Sequence, residues 1–124
     1  MTNKNIMLEL CEDIIGSEYC IIDDYGDVVD LFQVNITATI YDNQDEFSGI
    51  NNTVRGNAFV MVDWAKDIAL HIIKGASYGV IAHESYHIAC RILELNGFSD
   101  TNANEEAIAK IIEMLVNEIV KLIK

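Results

Sequence analysis

The sequence predicts an α+β fold in a single domain, and three stretches lead there. Val34, Ile36, Ala38 and Ile40 alternate with Gln33, Asn35, Thr37 and Thr39, a period of two in a segment rich in β-branched residues. Between about 78 and 95, Tyr78, Ile81, Ala82, Ser85, Ala89, Ile92 and Leu93 recur at helical intervals, and Asn96-Gly97 supplies a stop. From about Asn104 to Lys124, Ile108, Ile112, Leu115, Val116, Ile119 and Ile123 share one side of a helical wheel centred on Glu105. Glu106, Lys110, Glu113, Asn117 and Lys121 form the opposite, wet stripe. The 124 residues suffice for one core and not for two.

In chain order, Thr2 caps an expected first helix running to about Ile15, with Ile6, Met7, Leu10, Cys11 and Ile14 on one face, and Gly16 ends it. Tyr19-Cys20-Ile21-Ile22 reads as a strand and Asp24-Tyr25-Gly26-Asp27 as a turn. The alternating strand that follows is expected to pair with its predecessor as a hairpin. Residues 42 to 57 are polar and Gly-containing and read as a surface loop. Ala58 to Asp63 gives a third strand, while Trp64 to Lys74 reads as a short helix or an irregular segment. The expected architecture is thus an N-terminal helix, a small antiparallel sheet of about three strands, a central helix capped by Ser77, and an antiparallel C-terminal helix whose start, Asn102 with Glu105, resembles a capping box.

Composition excludes several functions. Twenty acidic residues against eight Lys and Arg leave a net charge of −12, which opposes binding to nucleic acid, since a phosphate-binding surface needs clustered cations. Charges interrupt every apolar run short of the ~20 residues of a membrane span, and Met1-Thr2-Asn3-Lys4-Asn5 lacks the form of a signal peptide. A cytoplasmic protein without a membrane partner is expected. Cys11, Cys20 and Cys90 are odd in number and lack C-x-x-C spacing, which argues for reduced core residues over a disulfide framework or a zinc knot.

The chemistry-bearing stretch is His83-Glu84-Ser85-Tyr86-His87, an H-E-x-x-H motif in the middle of the central helix. Residues four apart project from one helix face, so His83 and His87 can bind one Zn²⁺, with their rings expected to be buried against a partner element. Glu84 sits beside them as a candidate general base for a metal-activated water. A catalytic zinc takes three protein ligands and keeps an open position, so a third donor must come from elsewhere. Glu94 is seven residues beyond His87, roughly 10 Å along the axis, too far for one site. Cys90 is nearer but reads as a packing residue. An αα-hairpin would bring Glu105 or Glu106 across to His87.

With these motifs the chain resembles the gluzincin branch of the zincin metallopeptidases. There H-E-x-x-H is followed by a ligand Glu opening the next helix, commonly as Glu-Ala, and Glu106-Ala107-Ile108 looks like that element. More narrowly, Ala82-His83-Glu84-Ser85-Tyr86-His87, the Asn96-Gly97 loop and Glu105-Glu106-Ala107-Ile108-Ala109 are similar to small metallopeptidase-like proteins encoded in tailed-phage genomes. The resemblance covers about residues 58 to 124 and implies a minimal zincin-like domain, zinc as cofactor and Glu106 as third ligand. The helical wheel prefers Glu105, so both stay candidates. Glu106 is favoured because a first turn can sit over a site that later turns do not touch. The resemblance also implies that Glu84 serves as base in peptide-bond hydrolysis, and that Asn57 to Asp63 is an edge strand accepting extended peptide by strand addition.

Two departures stand out. Gluzincins often carry an Asp four residues after the ligand Glu, and Lys110 stands there instead. No donor for a tetrahedral oxyanion carries a motif, although His71, Tyr78, Tyr86 and Arg55 have the chemistry, and His71 could substitute as a ligand. Three functions follow: a zinc-dependent peptidase acting on a peptide or protein substrate; a non-enzymatic interaction protein, with a virion or other phage protein as partner, that keeps the scaffold for stability; and a metal-free helical binding module.

Overall fold

The computed structural model describes residues 1–9, 21–22, 28–29, 33–48, 57–64, 67–95 and 105–124. The described elements are β1 (Thr2–Glu9), β2 (Ile21–Ile22), β3 (Val28–Val29), β4 (Gln33–Tyr41), α1 (Gln44–Ser48), β5 (Ala58–Val62), β6 (Ile68–Ile73), α2 (Tyr78–Leu95) and α3 (Glu105–Ile123). The fold is α+β, with one mixed four-stranded sheet ordered β1-β4-β6-β5. β4 and β6 run parallel, and the other two pairings are antiparallel.

The alternation over Gln33–Tyr41 does form a strand. Ile36, Ala38 and Ile40 are buried, while Asn35 and Thr37 face outward and are exposed. β4 lies in the interior of the sheet, between β1 and β6, and does not pair with β2 as a hairpin. β2 pairs instead with β3 in a separate two-stranded ribbon, Ile21 opposite Val29 and Ile22 opposite Val28. The expected turn at 24–27 lies outside the described residues.

The N-terminal helix expectation fails over Thr2–Glu9, which is a strand pairing with β4 along its whole length. Ile6 and Leu8 are buried two apart on one face, and Met7 between them is exposed. The pattern Ile6, Met7, Leu10, Cys11 is helical on paper, but eight residues of ladder to an interior strand outweigh so weak a local signal. Residues 10 to 15 of that expected helix lie outside the described set.

The segment from 64 to 74 proves to hold β6, with Ile68, Leu70 and Ile72 buried and Ala69, His71 and Ile73 half-buried. This extra strand, with β1, turns the expected antiparallel sheet of three into a mixed sheet of four. Within the expected loop 42–57 sits the short helix α1. Asn43 Oδ1 accepts the Glu46 N–H at 2.9 Å, and Glu46 Oε2 accepts the Asp42 N–H at 2.9 Å, a capping arrangement that seats Phe47 against Tyr41 and Phe59.

α2 matches its expected bounds. The Ser77 hydroxyl oxygen accepts the Val80 N–H at 3.2 Å as N-cap. Its inner face, Ile81, Ser85, Ile88, Ala89, Ile92 and Leu93, packs on the sheet and on α3. α3 buries Ala107, Ile108, Ile111, Leu115, Ile119 and Ile123, with Ile112 and Val116 half-buried and Glu105 exposed. Each fully buried aliphatic side chain contributes about 1.5–3 kcal/mol relative to exposure, so these stripes hold both helices in place. The hairpin is antiparallel: the Gly75 N–H donates to Ile123 O at 3.2 Å, and Lys124 Nζ lies 4.7 Å over the Tyr78 ring, so α3 ends where α2 begins. The 96–104 connection, with its expected capping pair, lies outside the described residues. None of the described helices is long and apolar enough to cross a membrane.

Candidate functional site

The two motif histidines meet on the open side of α2. His83 Nε2 and His87 Nε2 are 3.1 Å apart, with ring centroids at 4.8 Å. His83 is exposed and His87 half-buried, so the rings are not sequestered against a partner element as the helical pattern implied. The core-facing stripe takes Ile81, Ser85 and Ile88, which rotates the histidines to its flank. At 3.1 Å the two nitrogens are within hydrogen-bond distance of each other, and two imidazole nitrogens bound at 2.0–2.1 Å to a tetrahedral zinc would stand roughly 3.3 Å apart, so their separation matches a shared ion once the proton between them is lost.

Glu84 is only 7% exposed and has a side chain flanking both histidines. Burial pushes its carboxyl above the ordinary glutamate range, and the neighbouring His83 and His87 pull it partly back. A carboxylate of raised basicity beside two imidazoles is the arrangement a general base requires.

These residues line a groove between α2 and β5. A cavity of about 410 Å³ is bounded by Phe59, Val60, Val62, Glu84, His87 and Arg91. It shares Glu84 with a second cavity lined by Asn57, Ala58, Ser77, Gly79, Val80 and His83. It shares Val62 and Arg91 with a third that reaches Glu94 and Leu95. The opposite wall, β5, is an edge strand of the sheet. The Ile73 N–H donates to Asn57 O at 2.9 Å, and the Asp63 N–H donates to Asp67 O at 3.1 Å. The odd-numbered residues of β5 therefore bond to β6, and Ala58, Val60 and Val62 aim their N–H and C=O groups away from it, along an edge that no described strand covers.

The third donor is not gathered in. Among the described residues no three His, Cys, Asp or Glu side chains cluster as a metal site. Glu105 is exposed at the first position of α3, and the Glu106 side chain lies outside those described. Glu94 joins Arg91 on the outer flank of α2, and Cys90 is half-buried.

Of the expected oxyanion donors, Arg55 lies outside the described residues. His71 does not serve the site: it projects from the face of β6 opposite to Ile68, Leu70 and Ile72, stacked on Phe59 at 4.5 Å and 7°. Its Nδ1 lies within hydrogen-bond distance of the Tyr41 hydroxyl, at 2.7 Å, and burial lowers its pKa, which favours the neutral ring. Tyr78 is exposed at the start of α2 beneath Lys124. Tyr86 is half-exposed, its ring 6.1 Å from His87. Sequence reasoning missed Arg91, whose signal was its place four residues after His87, one further turn along the same flank.

No family model matches the chain, and no curated protein or solved structure matches it either.

Proposed function

We propose that the chain is a minimal zinc-dependent peptidase. The observation carrying this reading is the His83–His87 pair at 3.1 Å beside the buried Glu84, in a groove walled by a strand edge that no described strand covers. His83 and His87 would hold the metal; the antiparallel hairpin sets Glu105 and Glu106 level with the end of α2, roughly 12 Å along the axis beyond His87, so a third donor from the start of α3 would require that helix to shift. When bound, zinc supplies Lewis acidity, polarising a carbonyl and acidifying water. Glu84 takes a proton from water and passes it to the leaving amine, a role to which its place beside both histidines is suited. Ala58, Val60 and Val62 hold the substrate extended by main-chain hydrogen bonds, as in strand addition. The resemblance of the motifs to those of gluzincins and of small phage-encoded metallopeptidase-like proteins supports the same reading.

A second reading, a non-enzymatic interaction or virion-associated protein stabilised by metal, is favoured by one observation: Glu105 is exposed and no third donor gathers among the described residues. Elemental analysis of gently purified protein, with His83→Ala beside it, tests the metal. One zinc per chain, lost in the variant, is expected. Cleavage of a peptide mixture that stops with chelator and in Glu84→Gln, with zinc retained, is expected of the peptidase. Cleavage that persists in Glu84→Gln overturns it, and zinc without turnover selects the second reading.

A further inference from the structure

The groove has a direction. At one end Ala58 faces Ser77, Gly79 and Val80, the beginning of α2. At the other, Val62 faces Arg91, Glu94 and Leu95. β5 and α2 therefore run the same way along it, with His83, Glu84 and His87 between the ends. A segment adding to β5 in the more stable antiparallel sense lays its N-terminal part over Val62 and its C-terminal part over Ala58.

Arg91 is the one cation among the described residues that lines this groove, in a chain with eight Lys and Arg in all. Its side chain is 41% exposed and is held by Glu94, one helical turn away. That pair is a surface one, and such pairs contribute little. Among the described residues Glu94 alone engages it, through a single terminal nitrogen, Nη1, and most of the five guanidinium donors face no described partner. A guanidinium matches a carboxylate in a two-point geometry that an ammonium cannot reproduce.

From this we infer that Arg91 is a specificity residue, selecting peptides with an acidic side chain on the N-terminal side of the bond placed at Glu84. Arg91 lies seven residues beyond Glu84, ~10 Å along the helix, and an extended chain advances ~3.3 Å per residue. The acidic residue therefore falls about three positions before the scissile bond. The chain's net charge of −12 opposes acidic ligands at long range. At physiological salt the screening length is ~8 Å, so Arg91 decides the local preference.

The inference rests on the peptidase reading for the position of the bond, and binding tests it without turnover. The probes are capped octapeptides of identical composition, with one Glu near the N-terminus or near the C-terminus, and matching peptides with Lys in its place. They are titrated calorimetrically into zinc-loaded Glu84→Gln. The N-terminal Glu peptide is expected to bind about tenfold more tightly than its C-terminal isomer and than the Lys peptide. Arg91→Ala should erase the preference and Arg91→Glu should invert it toward Lys, with thermal midpoints near that of the parent. A ranking unchanged in Arg91→Ala, or no binding by any peptide, overturns the inference. Preference without cleavage by the wild-type chain sinks the peptidase reading alone. Cleavage with no acidic preference sinks this inference alone.

Discussion

His83 and His87 bring their Nε2 atoms to 3.1 Å across one turn of α2. Both nitrogens can face one ion, and each alone is a weak ligand, so removing either ring should abolish stable binding. A ligand at a hundred times its Kd stabilises the folded state by about 2.7 kcal/mol. For a domain of this size that raises the thermal midpoint by roughly 10 °C. Differential scanning fluorimetry with zinc should show that shift in the wild-type chain, and none in His83→Ala or His87→Ala.

The outward direction of the Val60 N–H sets up a contrast between neighbouring prolines. Val60→Pro removes a donor that no described strand uses, and edge strands tolerate proline at such positions. Met61→Pro removes an N–H directed at β6 and leaves its acceptor unpaired, which should cost about 1–3 kcal/mol. Circular dichroism melts should show Val60→Pro near the parent midpoint and Met61→Pro well below it. Val60→Pro should nonetheless lose peptide binding, and full binding by that variant would remove strand addition from the account.

Gly75 has φ of 80°, in the left-handed region, and donates its N–H to Ile123 O. An added Cβ meets nothing within 4 Å, so Gly75→Ala should lose only the backbone term, about 1–2 kcal/mol. Gly79 lies inside α2, where a Cβ would come no nearer than 3.8 Å to Ser77 Oγ. Gly79→Ala should therefore stabilise by about 0.5–1 kcal/mol through helix propensity. Urea denaturation of the pair should give opposite signs.

Both helices of the hairpin were legible because their signals are long and periodic, and because Ser77 and Asn96-Gly97 bracket the first of them. β4 was legible for the same reason. β1 was not, since Ile6 and Leu8 declare a strand only once β4 lies beside them. β6 was not, because Ile68-Ala69-Leu70-His71-Ile72 reads equally well as a helix until its partners are known. The spacing of the motif predicted that His83 and His87 would meet, whereas their exposure depends on which flank of α2 the core takes. The Arg91 contribution to the groove needed Val62 across from it, and strand position is a tertiary fact.

Ser85 is fully buried next to Glu84, and its hydroxyl has no hydrogen-bond partner among the described residues. A buried unsatisfied hydroxyl costs about 1–3 kcal/mol, and serine is a poorer helix former than alanine. Ser85→Ala should raise the unfolding free energy by about 1 kcal/mol, measured in urea, and leave zinc stoichiometry unchanged. Destabilisation instead would mean that the hydroxyl is satisfied in solution.

His71 gives the chain a pH-dependent stability separate from the groove. Burial lowers its pKa below the ordinary value of 6.5, while in the unfolded chain the ring titrates near that value. Below 6.5 the unfolded state therefore binds more protons than the folded one, and stability falls with falling pH. The contribution is complete above 6.5 and is lost as the pH drops through the folded value. His71→Phe keeps the stack on Phe59 and has no proton to bind, so its denaturation midpoint should fall less than that of the wild-type chain between pH 7.5 and 5. Equal slopes for the two proteins would show that His71 is not the titrating group.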